Sequence, residues 1–473
     1  LKLHPAGTTE NILNLSGVET ATLKAIQKKG LVDCTLEPHD FSPAPVQLAQ
    51  MPLTLNEDQK KATQHVLNAQ HQYQAFLLDG LTGSGKTEVY LHIMHEVLKQ
   101  GKQVLVLVPE IGLTPQTISR FKSRFNCDIA LLHSGLNDSK RLQAWQQAQT
   151  GKASIILGTR SAIYTPLPRL GLIILDEEHD LSYKQQEGFR YHARDVALYR
   201  GHLQGCPVLL GSATPSIDSY HLVETGKLTA LQLNQRAGHA LLPKMHLIDL
   251  KIVKKQHGIS QPLIEQIKNT LARKEQVLIF LNRRGYAPVL VCENCGWQAN
   301  CPHCDAHFTL HTQPYSYLHC HHCGTVHRLP DHCPECQQKC LKTLGAGTAK
   351  VEEHLQELFP DHDVIRVDRD STSRVGSWQK IYDRIQQNKP SILLGTQMLA
   401  KGHHFPHVTL VAILDIDAGL LSVDIRAPER TAQLIVQVAG RAGRGEHKGH
   451  VYLQTLRPDH PLLTTLIEKD YRA

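Results

Sequence analysis

Three short stretches hold the kinds of residue that handle phosphate. In GLTGSGKT, the residues Gly80, Leu81, Thr82, Gly83, Ser84, Gly85, Lys86 and Thr87 lead a glycine-rich backbone into a lysine and a hydroxyl. Glycines permit a tight loop whose N–H groups point at phosphate oxygens, the lysine reaches the β/γ-phosphates, and the threonine hydroxyl suits Mg2+. LIILDEEHD supplies Asp176 as a Mg2+ partner and Glu177 as the residue that polarises an attacking water. QVAGRAGRG sets Arg441 and Arg444 three apart beside glycines, and a guanidinium fork matches the oxygens of a transferring phosphoryl group. An acidic strand end or an arginine pair is usually solvated surface. Here both follow the cradle in order along one chain, which favours a nucleoside triphosphate site.

A second group carries metal chemistry. Eight of the twelve cysteines form four Cys-x-x-Cys pairs between Cys292 and Cys336. Fifteen residues separate Cys304 from Cys320, a separation common between opposed knuckles, whereas five separate Cys295 from Cys301. The spacing therefore pairs Cys301, Cys304, Cys320 and Cys323 on one ion, and Cys292, Cys295, Cys333 and Cys336 on the other. Four thiolates close a tetrahedral zinc shell and leave no position for water, so two structural Zn2+ are expected. Large apolar residues are few in this segment, among them Trp297, Phe308, Tyr315, Tyr317 and Leu318, too few for an independent core. His303, His307 and His322 are available but unnecessary as ligands. Cys34, Cys127 and Cys206 read as isolated buried thiols, and Cys340 as a ninth thiol near the cluster with no partner at knuckle spacing.

The elements that must position these residues alternate. Between Phe76 and Thr214, FLLDG, VLVLVP, SIILGTR, LIILDEE and PVLLGSATP are short β-rich runs separated by helical patterns. After Lys86, the apolar residues Val89, Tyr90, Ile93, Met94, Val97 and Leu98 recur at helical spacing until Gly101. Following a polar connection at Leu233 to Pro243, the alternation resumes in VLIFL, DVIRVD, SILLGT, LVAILDID and GHVYLQT. The fold class is α/β, with two parallel-sheet lobes and the cysteine-rich segment inserted in the second. The expected division is a remnant of a winged-helix domain and linker at 1–45, a first lobe at 46–235, a second at 236–290 and 341–473, and the metal-binding insertion at 291–340. TLKAIQKKGLV is one amphipathic helix of the first piece, and the prolines of FSPAPVQ mark a linker.

Composition agrees with a globular chain. The 473 residues are 41% hydrophobic, enough for two or three cores. No apolar run approaches the roughly 20 residues needed to cross a bilayer, and the first residues lack a signal peptide's order, so a cytoplasmic protein without membrane partners is expected. The first residue is Leu1 rather than Met, and the chain stops soon after a strong motif, so a fragment is expected. A net charge of +7 is compatible with a polyanionic partner, though the charges are spread.

The cradle, DEEH, GSATPS and QVAGRAGR, in that order across two lobes, resemble a superfamily 2 helicase. LNEDQ, PEIGLTPQ, GTRSAIYTP, DEEHDLSYKQQEGFRYHARDVA, LNRRGYAP, GTQMLAKGHHFPHVTLV and the eight cysteines narrow the resemblance to the primosomal protein N′ (PriA) family of replication-restart helicases, over roughly residues 50 to 473. The resemblance implies RecA-like lobes and an ATP-driven 3′ to 5′ DNA helicase at stalled or abandoned forks. Its implied partners are forked and single-stranded DNA, primosome proteins, single-strand-binding protein and the replicative helicase. It implies that Gln59 reads the adenine, that Gly211 to Ser216 couple hydrolysis to strand movement, and that Gln437, Arg441 and Arg444 sense the γ-phosphate. SYKQQEGFRYHARD resembles the family's aromatic-rich loop. Tyr183, Phe189 and Tyr191 offer stacking faces for bases, and Lys184, Arg190 and Arg194 suit phosphates. Gln337 stands where a knuckle often has glycine, and Ala349 where an acidic residue is usual. An RNA-dependent ATPase and a zinc-organised assembly platform are the competing readings.

Overall fold

In a computed structural model the described residues are 20–31, 47–110, 114–236, 243–282, 290–292, 294–304, 308–311, 316–320, 323–343, 348–367, 377–396, 399, 405–422, 424–443 and 448–472. The chain divides into two compact units, Leu1–Ser42 and Pro43–Ala473. The smaller shows the amphipathic helix Thr20–Lys28. The larger holds two parallel sheets and a cysteine-rich insertion.

The first sheet has seven strands, in the order Ile129–Leu132, Ile155–Gly158, Gln103–Leu107, Leu170–Asp176, Val208–Ser212, Ala75–Gly80 and Thr229–Leu233. Every neighbouring pair is parallel. The central strands read as unbroken apolar runs because both of their faces are covered. Phe76, Leu78, Val104, Val106, Leu172 and Ile174 pack on one face against helices Glu57–Asn68 and Lys86–Lys99. The alternate residues Leu77, Leu105, Leu107, Ile173 and Leu175 pack on the other, against helices Asp138–Gln149 and Ala193–Gln204. Full burial of each such side chain contributes roughly 1.5–3 kcal/mol. That holds the carboxyl ends of adjacent strands in fixed register.

The second sheet has six parallel strands, in the order Lys244–Asp249, His450–Thr455, Val408–Leu414, Gln276–Leu281, Ser391–Gly395 and Asp363–Val367. Helix Ala427–Ala439 lies on it through Ala432, Ile435 and Val438. The insertion leaves this unit through Leu290–Cys292 and returns antiparallel through Leu341–Thr343. Between them lies a three-stranded antiparallel sheet, Thr309–His311, Tyr317–His319 and Val326–Arg328.

Each strand run read from the sequence falls within one of these sheets. Within the two parallel sheets, three strands were not anticipated, Ile129–Leu132, Thr229–Leu233 and Lys244–Asp249, and all three are sheet edges.

Candidate nucleotide site and metal-binding insertion

Three adjacent strands, Leu170–Asp176, Val208–Ser212 and Ala75–Gly80, end side by side and deliver LIILDEE, GSATPS and the glycine-rich loop to one cleft. The loop turns through Gly83 and Gly85, both at φ 81°, a left-handed conformation in which any Cβ is strained. Helix Lys86–Lys99 begins directly after it. Its first N–H groups therefore open on the cleft, where an anion is favoured. The Lys86 ammonium donates to the Gly80 carbonyl at 2.9 Å, folded onto the root of its own loop.

Asp176 ends its strand beneath Tyr90, whose hydroxyl donates to the carboxylate at 3.0 Å. Burial, together with the neighbouring Glu177 carboxylate, raises the Asp176 pKa to about 6, and Lys86 opposes the rise. Glu177 sits at φ 49°, a conformation uncommon for a residue with a side chain, and its buried Oε2 has no hydrogen-bond partner. His179 Nδ1 lies 3.7 Å from that oxygen.

The second sheet reaches the same cleft. Gln437 and Arg441 line, with Thr82 to Glu88, Asp176 and Glu177, a cavity of about 840 Å3. Gln437 Nε2 hydrogen-bonds to His179 Nε2, and His179 Nδ1 to the Ser212 hydroxyl at 2.7 Å. One relay thus runs from the second sheet through DEEH to the start of GSATPS. Gly440 packs on the glycine-rich loop itself, since a Cβ there would lie 2.4 Å from Thr82 Oγ1. Further along helix Ala427–Ala439, Glu429 accepts from the Ile217 N–H at 2.8 Å. Arg444 lies outside the described residues.

Gln59 is 5% exposed and commits both ends of its amide to the protein. Its oxygen accepts from Asn56 N at 2.9 Å to complete a capping box, and its nitrogen donates to the Ser84 carbonyl at 2.8 Å. It buttresses the loop from behind, and reading a base would require it to exchange one of these bonds.

The aromatic-rich segment folds as a hairpin, with Lys184 bridged to His192 and Gln185 N donating to Tyr191 O at 2.9 Å. Phe189 is 81% exposed at its tip and stacks on Tyr191, ring centroids 6.1 Å apart. Arg190 is exposed and Lys184 half-buried, with its ammonium on the Arg190 carbonyl. Two expectations are corrected. Tyr183 is fully buried, its hydroxyl donating to the carbonyls of Asp176 at 2.7 Å and Leu107 at 3.0 Å, so it braces the strand ends and offers no stacking face. Arg194 is buried as well. It bonds Asp195 and Ser216 and lies 3.9 Å from the Glu178 carboxylate, so its charge is spent inside the protein.

Sequence reasoning passed over Tyr90, His179 and Glu178. Tyr90 looked like one more apolar position of its helix. Glu178 is 1% exposed and accepts from Ser216 N, Ser216 Oγ and Ser219 Oγ, tying GSATPS to DEEH. The signal was present in the DEEH run itself, where the strand's six buried residues give way to four polar ones, the first of them closing the strand. Gly211 gives this arrangement a sharp test, because a Cβ there would fall 1.6 Å from the Tyr90 hydroxyl. Tyr90 is immobilised by burial, so Gly211→Ala is expected to dislodge the ring from Asp176, destabilising the fold by about 1–3 kcal/mol. A Tyr90→Phe, Gly211→Ala pair should recover part of that loss in a thermal melt, because the added Cβ would still lie 2.8 Å from the ring's Cζ; no recovery at all would place the clash elsewhere.

In the insertion the thiols assemble as the spacing required. Cys292, Cys295, Cys333 and Cys336 form one group and Cys301, Cys304, Cys320 and Cys323 the other, with the sulfurs of each group within 4.8 Å of one another. Three knuckles repeat one turn: Gly296 N donates to Cys292 O, Gly324 N to Cys320 O and Gln337 N to Cys333 O, at 2.9–3.0 Å. Gly296 and Gly324 adopt φ 77° and 78°, and Gln337 takes φ 58°, so the missing glycine leaves the turn intact at some cost in strain. Four soft donors in each closed group fit Zn2+. Cys340 lies near the cluster as expected, its sulfur 3.4 Å from that of Cys292. Phe308, Leu318 and Leu290 form a small core around Cys301 and Cys320. Cys34, His307, His322 and Tyr315 lie outside the described residues. Cys127 is only partly buried.

Residues 56–223 match the DEAD/DEAH box helicase family and residues 343–446 the helicase conserved C-terminal domain. The chain is 51% identical over 461 residues to replication restart protein PriA of Haemophilus influenzae, covering 96% of this chain and 63% of that protein. It is 41% identical over 461 residues to the Bacillus subtilis protein of the same name, covering 96% and 57%, and 39% identical over 437 residues to that of Rickettsia conorii, covering 90% and 67%. The chain thus spans about six-tenths of the length of these relatives. In fold it is similar to DEAD-box helicase Mss116 bound to ssRNA and UDP-BeF, at TM-score 0.53 and 15% identity over 96% of this chain and 79% of that one. It is also similar to DUF1998 helicase MrfA bound to DNA and AMPPNP, at TM-score 0.53 and 13% identity over 87% and 49%. Among the described residues, no helix is long and apolar enough to cross a membrane.

Proposed function

We propose, from the premise that this chain belongs to the PriA family of replication restart proteins, that it is an ATP-dependent DNA helicase acting 3′ to 5′ at stalled or abandoned forks. Its place would be in primosome assembly and in reloading the replicative helicase. One observation carries the reading: Gln437 and Arg441 of the second sheet line the cavity that holds Lys86, Thr87, Asp176 and Glu177 of the first. A triphosphate there would touch both sheets. Its hydrolysis would change how firmly they hold one another, and alternate grip is what moves a strand.

The residues divide the work. The N–H groups of the glycine-rich loop and the Lys86 ammonium bind the phosphates. The Thr87 hydroxyl and Asp176 carboxylate are hard oxygen donors of the kind Mg2+ takes, and the ion would neutralise charge between phosphates. Glu177 orients the attacking water, and Arg441, with Arg444, stabilises charge that develops on the transferred phosphoryl group. The Gln437–His179–Ser212 relay then links that charge to GSATPS, which Glu178 holds in place. Phe189 and Tyr191 supply stacking faces and Arg190 a phosphate contact; Gln59 is positioned to sense a base only through its hold on the loop. Two Zn2+ on the eight thiols would hold the insertion as a rigid projection for DNA or a partner protein.

Strand displacement on forks with defined leading-strand gaps tests the proposal. ATP-dependent unwinding, stimulated by single-stranded DNA, is the expected result. Stimulation of hydrolysis by RNA in preference to DNA would replace it with an RNA-dependent ATPase.

A further inference from the structure

Helix Pro461–Glu468 buries Leu463 and Leu466 in the core of the second sheet, beside Ile435 and Val438. The chain that follows it reaches the other lobe while Tyr471 still packs against this core. The Tyr471 hydroxyl donates to the Pro215 carbonyl of GSATPS at 2.8 Å. Arg472 clasps the Asp79 carboxylate with a hydrogen bond from Nη2 to Oδ1 and an ion-pair contact of Nε with Oδ2, each 3.0 Å. Nη2 also reaches the Asp79 carbonyl at 3.3 Å, and Nη1 the Asn234 side chain at 2.8 Å.

Asp79 is the residue before Gly80, whose carbonyl receives Lys86. Its side chain is 3% exposed, and its carboxylate also accepts from the Tyr220 hydroxyl at 3.2 Å. A carboxylate so far out of water needs a charged partner, and a neutral hydroxyl compensates it poorly. The partner belongs to the second sheet's unit of packing. Separating the two sheets would therefore withdraw Arg472 and strand the charge at the root of the glycine-rich loop. Because the pair is a bidentate fork on a buried acceptor, salt screens it far less than a surface ion pair.

We propose that Tyr471 and Arg472 form an interlobe strap, in which Arg472 is a positioning residue that holds the cleft closed on the loop through Asp79. Its significance for nucleotide rests on reading the cavity as a triphosphate site. Opening the cleft costs the Asp79–Arg472 pair, so the strap raises affinity for a triphosphate that bridges the two sheets and slows release of the product.

The test compares Arg472→Ala, Arg472→Lys, Asp79→Ala and the double variant Asp79→Ala, Arg472→Ala. Arg472 is partly exposed, so its truncation leaves the packing of both sheets in place. Arg472→Ala is expected to weaken binding of a fluorescent non-hydrolysable ATP analogue about tenfold and to raise KM more than it lowers kcat. Arg472→Lys, lacking the fork, should recover only part of the affinity. The double variant should be no worse than the worse of the two single ones. Small-angle scattering without nucleotide should show a larger radius of gyration for Arg472→Ala than for the unaltered chain. That scattering arm does not depend on hydrolysis, so it separates failure of the strap from failure of the triphosphate reading. An unchanged radius, additive losses in the double variant, or unchanged affinity where the unaltered chain does bind the analogue would each overturn the strap; an enlarged radius with no analogue bound by the unaltered chain would overturn the triphosphate reading instead.

Discussion

Alanine at Lys86 is expected to reduce ATP turnover roughly a hundredfold to a thousandfold, as loss of one charged transition-state contact does elsewhere. The side chain is partly exposed and, among the described residues, hydrogen-bonds to the Gly80 carbonyl, so its removal costs the fold about 1 kcal/mol. Turnover should collapse while the melting temperature barely moves. Steady-state hydrolysis with and without single-stranded DNA, beside a thermal melt, measures both. The same variant decides between engine and platform. If fork remodelling persisted after hydrolysis had gone, the glycine-rich loop would be a regulatory nucleotide sensor and the zinc-bearing insertion the working part.

The site was legible because it sits at the ends of strands that cannot be mistaken. Runs such as LIIL and VLVL are apolar on both faces, and residues at the carboxyl ends of such strands in a parallel sheet have few places to go. Edge strands gave a weaker signal. Thr229–Leu233 buries only Leu231 and Leu233, and Lys244–Asp249 only Ile248, so neither shows an apolar run. Exposure of individual side chains was not legible. The segment from Ser182 to Asp195 interleaves aromatic and basic residues throughout, yet Tyr183 and Arg194 at its ends turn inward while Phe189 and Arg190 at its tip face water. Periodicity could not separate them, because a hairpin's ends and its tip share composition and differ only in what lies beneath. The contacts that join the lobes were equally silent, since Gln437 and His179 are 258 positions apart. The cysteine grouping, by contrast, followed from spacing alone, because a tetrahedral shell admits few separations.

Removing zinc should separate the two halves of the proposed activity. Among the described residues, the insertion's own core is six buried ones, two of them cysteines, so it has little to hold it without an ion on the thiols. Structural zinc contributes about 10–16 kcal/mol of apparent folding free energy, more than so small a cluster can replace. Among the described residues, none of the insertion lines the cavity that holds Lys86, Asp176 and Arg441, and the insertion meets its lobe through Val291, packed on Leu421 and Leu456, and the Arg457–Gln298 hydrogen bond. Cys320→Ala is therefore expected to cut the zinc content from two ions to one and to expose the segment between Cys301 and Cys323 to protease, while basal hydrolysis stays within roughly twofold, as for sites that share no partners. Strand displacement should fall far more. Elemental analysis, limited proteolysis and paired hydrolysis and unwinding assays on one preparation follow all of these. Parallel loss of hydrolysis and unwinding would mean that the knuckles hold the second lobe itself, through the packing of Val291, and that the projection has no separate task.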